Sequence, residues 1–479
     1  MRHDKERLPE LPLGWTWTQL GLIVDDVTTV DPKKTPTTEF IYLDIASIDN
    51  SQQKIVSPKK YYGKDAPSRA RQLVMSGDIL FSTVRTYLKN IATVDEIYDG
   101  QIASTGFCVI RPHSRAVNNR FIFYLTNAEN FLNPLTQLQR GTSYPAVRDS
   151  DVFSQLIPLP PLPEQRRIVA KIEELFTRLD AGVEALRKVK AEIRRYRQAV
   201  LKHAFEGRLT EEWNKGELEP VSVLLKRINE ERKKNAKGKY KELPPVDASE
   251  LPSLPYGWVW TRVGALGEVI TGTTPSKSKP EYYSKDYPFF KPTDLNAGYY
   301  VKSSEDGLSE EGIKQARFLP EKSILVTCIG ATIGKTGLIR VPGVSNQQIN
   351  ALVPANGILP EFVYFICSSS DFQKSIVNNA SATTLPILNK SKFELLQFPL
   401  PPIPEQHKIV EEIERHFSIA DEVEASIDQS LKQAERLRQS ILKRAFEGRL
   451  VQQDPTDEPA EKLLERIKSE RTKQVNESK

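Results

Sequence analysis

One chain carries the same frame twice, and that duplication limits its fold more than any other feature. The stretch "IPLPPLPEQRRIVAKIEELF" from Ile157 returns as "FPLPPIPEQHKIVEEIERHF" from Phe398. "LPLGWTWTQLG" from Leu11 returns as "LPYGWVWTRVG" from Leu254, and "LKHAFEGRL" from Leu201 as "LKRAFEGRL" from Leu442. "EPVSVLLKRINEER" from Glu219 returns as "EPAEKLLERIKSER" from Glu458. Four blocks in the same order, at an offset near 241 residues, define an internal repeat. Between the blocks the halves diverge. The frame is kept while the contents differ, which suits a frame that meets the same partner twice and contents that meet different ones.

Behind each PLPPxPEQ motif, apolar residues recur at steps of three and four. They run from Ile168 through Ile172, Leu175 and Leu179 to Ala204, and from Ile409 through Ile413 and Phe417 to Ala445. The intervening positions are mostly Glu, Lys, Arg and Gln. This is a heptad-like stripe on a helix of roughly 43 residues, about 65 Å long. Pro163 and Pro404 suit the first helical position, where a missing N–H costs nothing, and Glu164 and Glu405 then sit at the positive end of the helix dipole. Gly207 and Gly448 supply the stops. A lone one-stripe helix would leave its stripe in water, so two copies in one chain are expected to pair. Antiparallel pairing relates the halves by a pseudo-two-fold axis. The polar linker from Thr210 to Ser253 carries the chain back. Short amphipathic pieces at Val221, Leu224, Leu225 and Ile228, and at Ala460, Leu463, Leu464 and Ile467, read either as packing against the long helices or as docking a partner.

The segments outside the helices read as mixed α/β, mostly strand, each of about 145 residues and large enough for one core. "FIYLDIASI" and "DILFSTV" are strand-length runs of β-branched and aromatic residues. "NRFIFYLTNAENFLNPL" has helical spacing. The fold class expected is therefore α+β, with two mixed α/β domains separated by two long antiparallel coiled-coil helices. The boundaries read as a first domain 1–158, a helix 159–210, an amphipathic segment and linker 211–250, a second domain 251–399, a helix 400–450 and a tail 451–479.

No apolar run reaches the roughly 18 residues needed to span a bilayer, and "MRHDKERLPELP" has no apolar core of leader length. The cysteines Cys108, Cys328 and Cys367 lack CxxC spacing and fit small core residues in a reducing cytoplasm. No metal-ligand pattern is visible among these and the five histidines. The formal charge of +5 permits nucleic acid without requiring it.

A search for catalytic motifs finds none. "GATIGKT" from Gly330 has one residue too few between its glycines for a phosphate loop. No [DN]PP[YF] tetrad, GxSxG elbow or HExxH helix occurs. The variable domains instead interleave Lys and Arg with hydroxyls and aromatics in turn-like stretches. Such groups give phosphate contacts and base contacts. In the first domain the candidates are Lys59, Lys60, Arg69, Arg71, Arg85, Tyr87, Lys89, Arg140, Ser143, Tyr144 and Arg148. In the second they are Thr273, Thr274, Ser276, Lys277, Lys279, Lys335, Thr383 and Asn389. Arg85 lies opposite Gly330, Tyr144 opposite Leu385 and Arg148 opposite Asn389 in the aligned halves, as expected for readers of two different sequences.

The doubled "PLPPxPEQ" with its long helix, "FEGRL", "LPxGW", and the second half's "TGTTPS" and "NQQINALVP" resemble the specificity subunit of type I restriction–modification enzymes over essentially the whole chain. The resemblance implies that each variable domain is a target-recognition domain for one half of a bipartite, asymmetric DNA site. The helices would set the gap between the halves. It implies a non-catalytic subunit that binds double-stranded DNA, two modification (methyltransferase) subunits and the restriction (translocase/nuclease) subunits. It also implies that S-adenosylmethionine, ATP and Mg reside in those partners. Candidate subunit contacts are Pro163, Glu164, Gln165, Phe205, Pro404, Glu405, Gln406 and Phe446. Whether Gln165 and Gln406 serve as caps or as partner contacts stays open. The first domain departs from the pattern, with "STGFCVIRP" opposite "NQQINALVP" and "VTTVDPKKTP" near the place of TGTTPS. A coiled-coil adaptor that binds proteins and no DNA is the alternative reading.

Overall fold

The computed structural model describes residues 8–113, 117–213, 216, 218–235, 242–381 and 385–477. The chain forms two compact units, and neither is contiguous in sequence. The first combines Met1–Arg187 with Asp428–Lys479, and the second is Lys188–Ile427. The long helices run from Leu162 to Phe205 and from Ile403 to Phe446, 44 residues each. Each unit therefore holds one α/β domain, the N-terminal half of one long helix and the C-terminal half of the other.

Both α/β domains have the same topology. In the first unit, Thr16–Gln19 pairs antiparallel with Leu156–Leu159, the strand that leads into the long helix. One four-stranded sheet has the order Lys59–Tyr62, Glu39–Leu43, Ile102–Ser104, Ala70–Leu73, with its central pair parallel. The other has the order Val24–Asp25, Phe107–Pro112, Ile79–Ser82, Ile91–Thr93. The second unit repeats this. Val259–Arg262 pairs with Gln397–Leu400. One sheet runs Gly267–Thr271, Ile349–Pro354, Ile324–Thr327, Thr336–Leu338, and the other Asp306–Leu308, Tyr283–Phe290, Gly343–Ser345, Phe318–Leu319. The central strands Ile79–Ser82 and Ile324–Thr327 are buried along their whole length, which is why they read as continuous apolar runs, whereas the edge strand Lys59–Tyr62 is largely exposed.

The core of each domain is completed by segments distant in sequence. In the first, Phe121 meets Phe446 edge to face at 5.3 Å, and Leu442, Ala445, Ala460, Leu463 and Ile467 join the same buried cluster. In the second, Phe362 meets Phe205 at 5.6 Å, with Leu201, Ala204, Val221, Leu224 and Ile228 in the cluster. The short amphipathic helices Val221–Asn235 and Ala460–Glu477 thus bury their stripes in the domain cores. The stop glycines lie against the first residues of each domain. Gly448, at φ 67°, sits on Pro12, and Gly207, at φ 77°, sits on Pro255. An added Cβ would approach each proline ring within 2.3 Å, so only glycine fits this turn.

Within each unit the two helix halves run antiparallel, since partner numbers fall as helix numbers rise. In the second unit Lys190 pairs with Glu424, while Tyr196 hydrogen-bonds His416 Nδ1 at 2.6 Å. In the first, Glu164 at the start of one helix receives a hydrogen bond from Gln453, just past the end of the other, and Asp180 further along pairs with Arg438. One clamp occurs in both units. Arg438 lies over the Phe176 ring at 4.3 Å while holding Asp180, and Arg197 lies over Phe417 at 6.0 Å while holding Asp421 at 2.5 Å. The apolar stripe does not make one continuous seam. Its first turns, at Ile168, Ile172, Ile409 and Ile413, are fully buried against the domains, whereas Val189, Tyr196, Val423 and Leu437 stay exposed.

The structure corrects the lead-in motif in two respects. Leu162 and Ile403 open the helices, so Pro163 and Pro404 take the second position rather than the first. Glu164, Gln165, Glu405 and Gln406 offer no surface to another subunit, because each is at most 1% exposed. The glutamines are internal clamps. Gln165 Nε2 donates to Pro160 O at 3.0 Å, and its Oε1 accepts from the Asn118 N–H at 2.8 Å. Gln406 repeats this with Pro401 O at 3.1 Å and the Leu359 N–H at 2.9 Å. Asn118 and Leu359 are the N-caps of the domain helices Asn119–Thr126 and Pro360–Cys367, so one carboxamide satisfies a strand-end carbonyl and an orphan helix donor together. Phe446 is buried as well and Phe205 partly so, whereas Pro163 and Pro404 remain exposed.

Replacing Gln165 or Gln406 by Leu strands a buried N–H and a buried carbonyl, and should lower unfolding free energy by about 1–3 kcal/mol in urea titrations. Pro163→Ala should leave it within about 0.5 kcal/mol. Burial holds the Glu164 carboxyl above its usual range, against the pull of the hydrogen bond from Gln453. A raised carboxyl pKa supports folding only below the unfolded value, and that support is lost as pH rises through the native one. Glu164→Gln should therefore melt above the wild type at neutral pH. The difference should shrink as pH falls into the ordinary carboxylate range; a gap that stays constant would refute this role of burial.

Candidate nucleic-acid interface

In the first domain, two loops close on each other. The loop after strand Ile79–Ser82 pairs through Val84 with Ala146, and the Arg85 N–H donates to Pro145 O at 2.8 Å. Arg140 pairs back on Ala146, which closes the turn from 140 to 146. This brings together Arg85, Tyr87, Lys89, Arg140, Ser143, Tyr144 and Arg148. Arg85 and Lys89 flank the short turn Thr86–Leu88 at φ 49° and 53°, left-handed values that cost a side-chain-bearing residue about 1–2 kcal/mol. The Arg85 guanidinium donates to Ser143 O at 3.0 Å and lies 5.1 Å from the centre of the Tyr144 ring. Tyr87 and Tyr144 are exposed.

Not every cation in the cluster is available. Arg140 pairs with Asp151 at 3.1 Å. Asp151 is held below the usual carboxylate range, chiefly by the Arg148 backbone N–H at the start of the helix Asp149–Phe153. Among the described residues, Arg85 and Lys89 have no salt-bridge partner, while Arg148 lies beside Asp151, which accepts from its backbone N–H at 2.9 Å. The remaining candidates are split. Lys59 and Lys60 lie on one edge strand of their sheet and Arg71 on the opposite edge, with Arg69 just before it. Three strand spacings, roughly 14 Å, separate the two groups. Lys60 is matched by Glu39 at 3.6 Å and Arg71 by Asp31 at 2.7 Å.

The second domain builds the same place from different residues. Ile329 pairs with Ile387, and the Gly330 N–H donates to Pro386 O at 3.0 Å, the counterpart of the Arg85 contact. The turn from Gly330 to Lys335 is held by Gln373 Nε2, which donates to Gly334 O at 2.7 Å. Lys335 reaches Asn296 Oδ1 at 2.7 Å. The TGTTPS loop joins through the 345–348 segment. The Thr273 N–H donates to Ser345 O at 2.8 Å, and the Thr274 hydroxyl donates to Gln347 Oε1. The Cys328 N–H donates to Gln348 O at 2.7 Å, so this segment links the two loops. Ser276, Lys277 and Lys279 are exposed at the far side of that loop, with Lys279 donating to the Tyr282 hydroxyl at 3.1 Å. That bond raises the lysine pKa. Asn389 caps the helix Lys390–Glu394, accepting from the Lys392 N–H at 2.9 Å. Thr383 lies outside the described residues.

Two stretches of the chain, residues 24–194 and 255–433, match the family model described as type I restriction modification DNA specificity domain. The chain belongs to this family. The specificity subunit of the type I restriction enzyme HindI of Haemophilus influenzae is 27% identical over 371 residues, covering 71% of this chain and 80% of the relative. The StySPI specificity subunit of Salmonella potsdam is 22% identical over 96% of both chains. A chain solved in work on the complex assembly and conformational transition of the type I R-M system shares 31% identity and a TM-score of 0.68, covering 92% of this chain and 100% of that one. The HsdS subunit of Thermoanaerobacter tengcongensis shares 31% identity and a TM-score of 0.51, covering 93% of this chain and 100% of that one. The matches identify a type I specificity subunit with a DNA-recognition role, and the reading as an adaptor without DNA is set aside.

For a specificity subunit of this family, two further groups bear on the site beyond the residues named from the sequence, the first lying within the NQQINALVP motif. Asn346, Gln347 and Gln348 stand where both loops of the second domain meet, and the signal was an amide run breaking an apolar strand lead-in. Arg317 donates to Thr271 O at 2.9 Å at the base of the TGTTPS loop; nothing in its local pattern marks it. Among the described residues, no group of three His, Cys, Asp or Glu is placed to hold a metal ion. No helix among them is long and apolar enough to cross a membrane.

Proposed function

We propose that the chain is the DNA-reading, non-catalytic subunit of a type I restriction–modification complex in the cytoplasm. Each domain reads one half of a bipartite asymmetric target through its loop cluster. The paired helices set the gap, and the repeated frame docks two modification subunits, to which restriction subunits are added. S-adenosylmethionine, ATP and Mg are held by those partners.

One observation carries the reading: both domains build a loop cluster at the same fold position, yet the side chains differ where the frame does not. Arg85 and Tyr144 face Gly330 and Leu385, while Gln165, Phe205 and Gly207 repeat as Gln406, Phe446 and Gly448. Identical frames suit identical partners, and dissimilar loops suit two dissimilar half-sites. Unneutralised cations beside exposed hydroxyls and aromatic rings match the mixture of phosphate and base contacts that DNA requires.

Exchanging residues 11–156 for the matching domain of another specificity subunit should change one half of the methylated motif and leave the other intact. Adenine-methylation mapping reads this directly, and a change in both halves, or in neither, overturns the assignment. The apparent association constant of the assembled complex should fall steeply with salt, with a log–log slope near −0.9 per phosphate neutralised.

A further inference from the structure

We infer that Arg85 reads a guanine in the half-site of the first domain, an assignment that rests on the proposed function above. The argument begins with the backbone. At φ 49° Arg85 occupies a conformation that suits glycine, and the second domain places Gly330, at φ 103°, in the equivalent contact with a proline carbonyl. An arginine held there needs a role that offsets its unfavourable backbone. The side chain joins no buried cluster and has no salt-bridge partner among the described residues; its contacts are with Ser143 and Tyr144 of the facing loop.

The guanidinium is nonetheless fixed. The Ser143 carbonyl, at 3.0 Å, takes one of its five N–H groups, and the Tyr144 ring, 73% exposed, supports it at 5.1 Å. A guanidinium fork can also pair with a phosphate, but a phosphate contact carries no base preference, and that difference separates the two roles in the test below. An oriented guanidinium plane with N–H groups left over is what paired acceptance by guanine O6 and N7 demands. Arg140 and Arg71, nearby in sequence or in the loops, are already matched by Asp151 and Asp31. With Gly330 and Leu385 in these places, the second domain imposes no such requirement at the corresponding position.

The test uses the full chain produced with the modification subunits of its own system in a host without adenine methylation. The methylated motif is mapped for wild type, Arg85→Gly and Arg85→Lys. Arg85→Gly keeps the backbone conformation, so folding is preserved. It should admit other bases at a single guanine position of the first half-site while the second half-site stays unchanged, and Arg85→Lys should relax the same position. Competition binding by the assembled complex, with duplexes altered one position at a time, should show a preference for guanine of roughly 5- to 150-fold in wild type falling to near unity in Arg85→Gly. This binding readout decides the matter even where methylation is lost. An unchanged motif overturns the inference. So does a uniform loss of affinity for all duplexes with a shallower salt slope, the mark of a phosphate contact. Absence of any bipartite motif in wild type would instead defeat the proposed function.

Discussion

Each recognition domain depends on a helix end that belongs, by sequence, to the other copy. Phe446 closes the core under Phe121, and Phe205 closes the core under Phe362. Without these rings and the leucines beside them, each domain would present an apolar face to water. Since burying a phenylalanine is worth about 1.5–3 kcal/mol, the contact is strong enough to fix where each helix must end. The glycine stop follows from it: directly after Phe446 and Phe205 the chain must turn against Pro12 and Pro255, and only a residue without Cβ fits.

The buried carboxamides extend the same logic to the start of each helix. Gln165 and Gln406 tie the last strand, the first turn of the long helix and the N-cap of a domain helix into one hydrogen-bonded corner. The direction of a long helix relative to its own domain is therefore set by two short bonds rather than by a flexible joint.

The loops stand outside this framework. Arg85, Tyr144, Lys89 and Lys335 contribute to none of the buried clusters, so exchanging them leaves the cores untouched. Frame and loops are separated by burial. This lets one frame be written twice while its two sets of loops diverge.

The sequence alone determined the duplication, the two long helices and the placement of helix stops. All of these are local patterns, written in periodicity, in Pro and Gly, and in repeated words. Only tertiary structure decided which apolar residues along the stripe face a domain, as Ile168 and Ile409 do, and which stay in water, as Val189 and Tyr196 do. It also moved Glu164, Gln165, Glu405 and Gln406 from an expected docking surface into the interior. It divided the basic candidates into matched ones, such as Arg71 and Arg140, and unmatched ones, such as Arg85. The physical reason is that burial and charge pairing depend on residues far apart in the chain, and no local spacing records which distant carboxylate or ring will be brought against a given side chain.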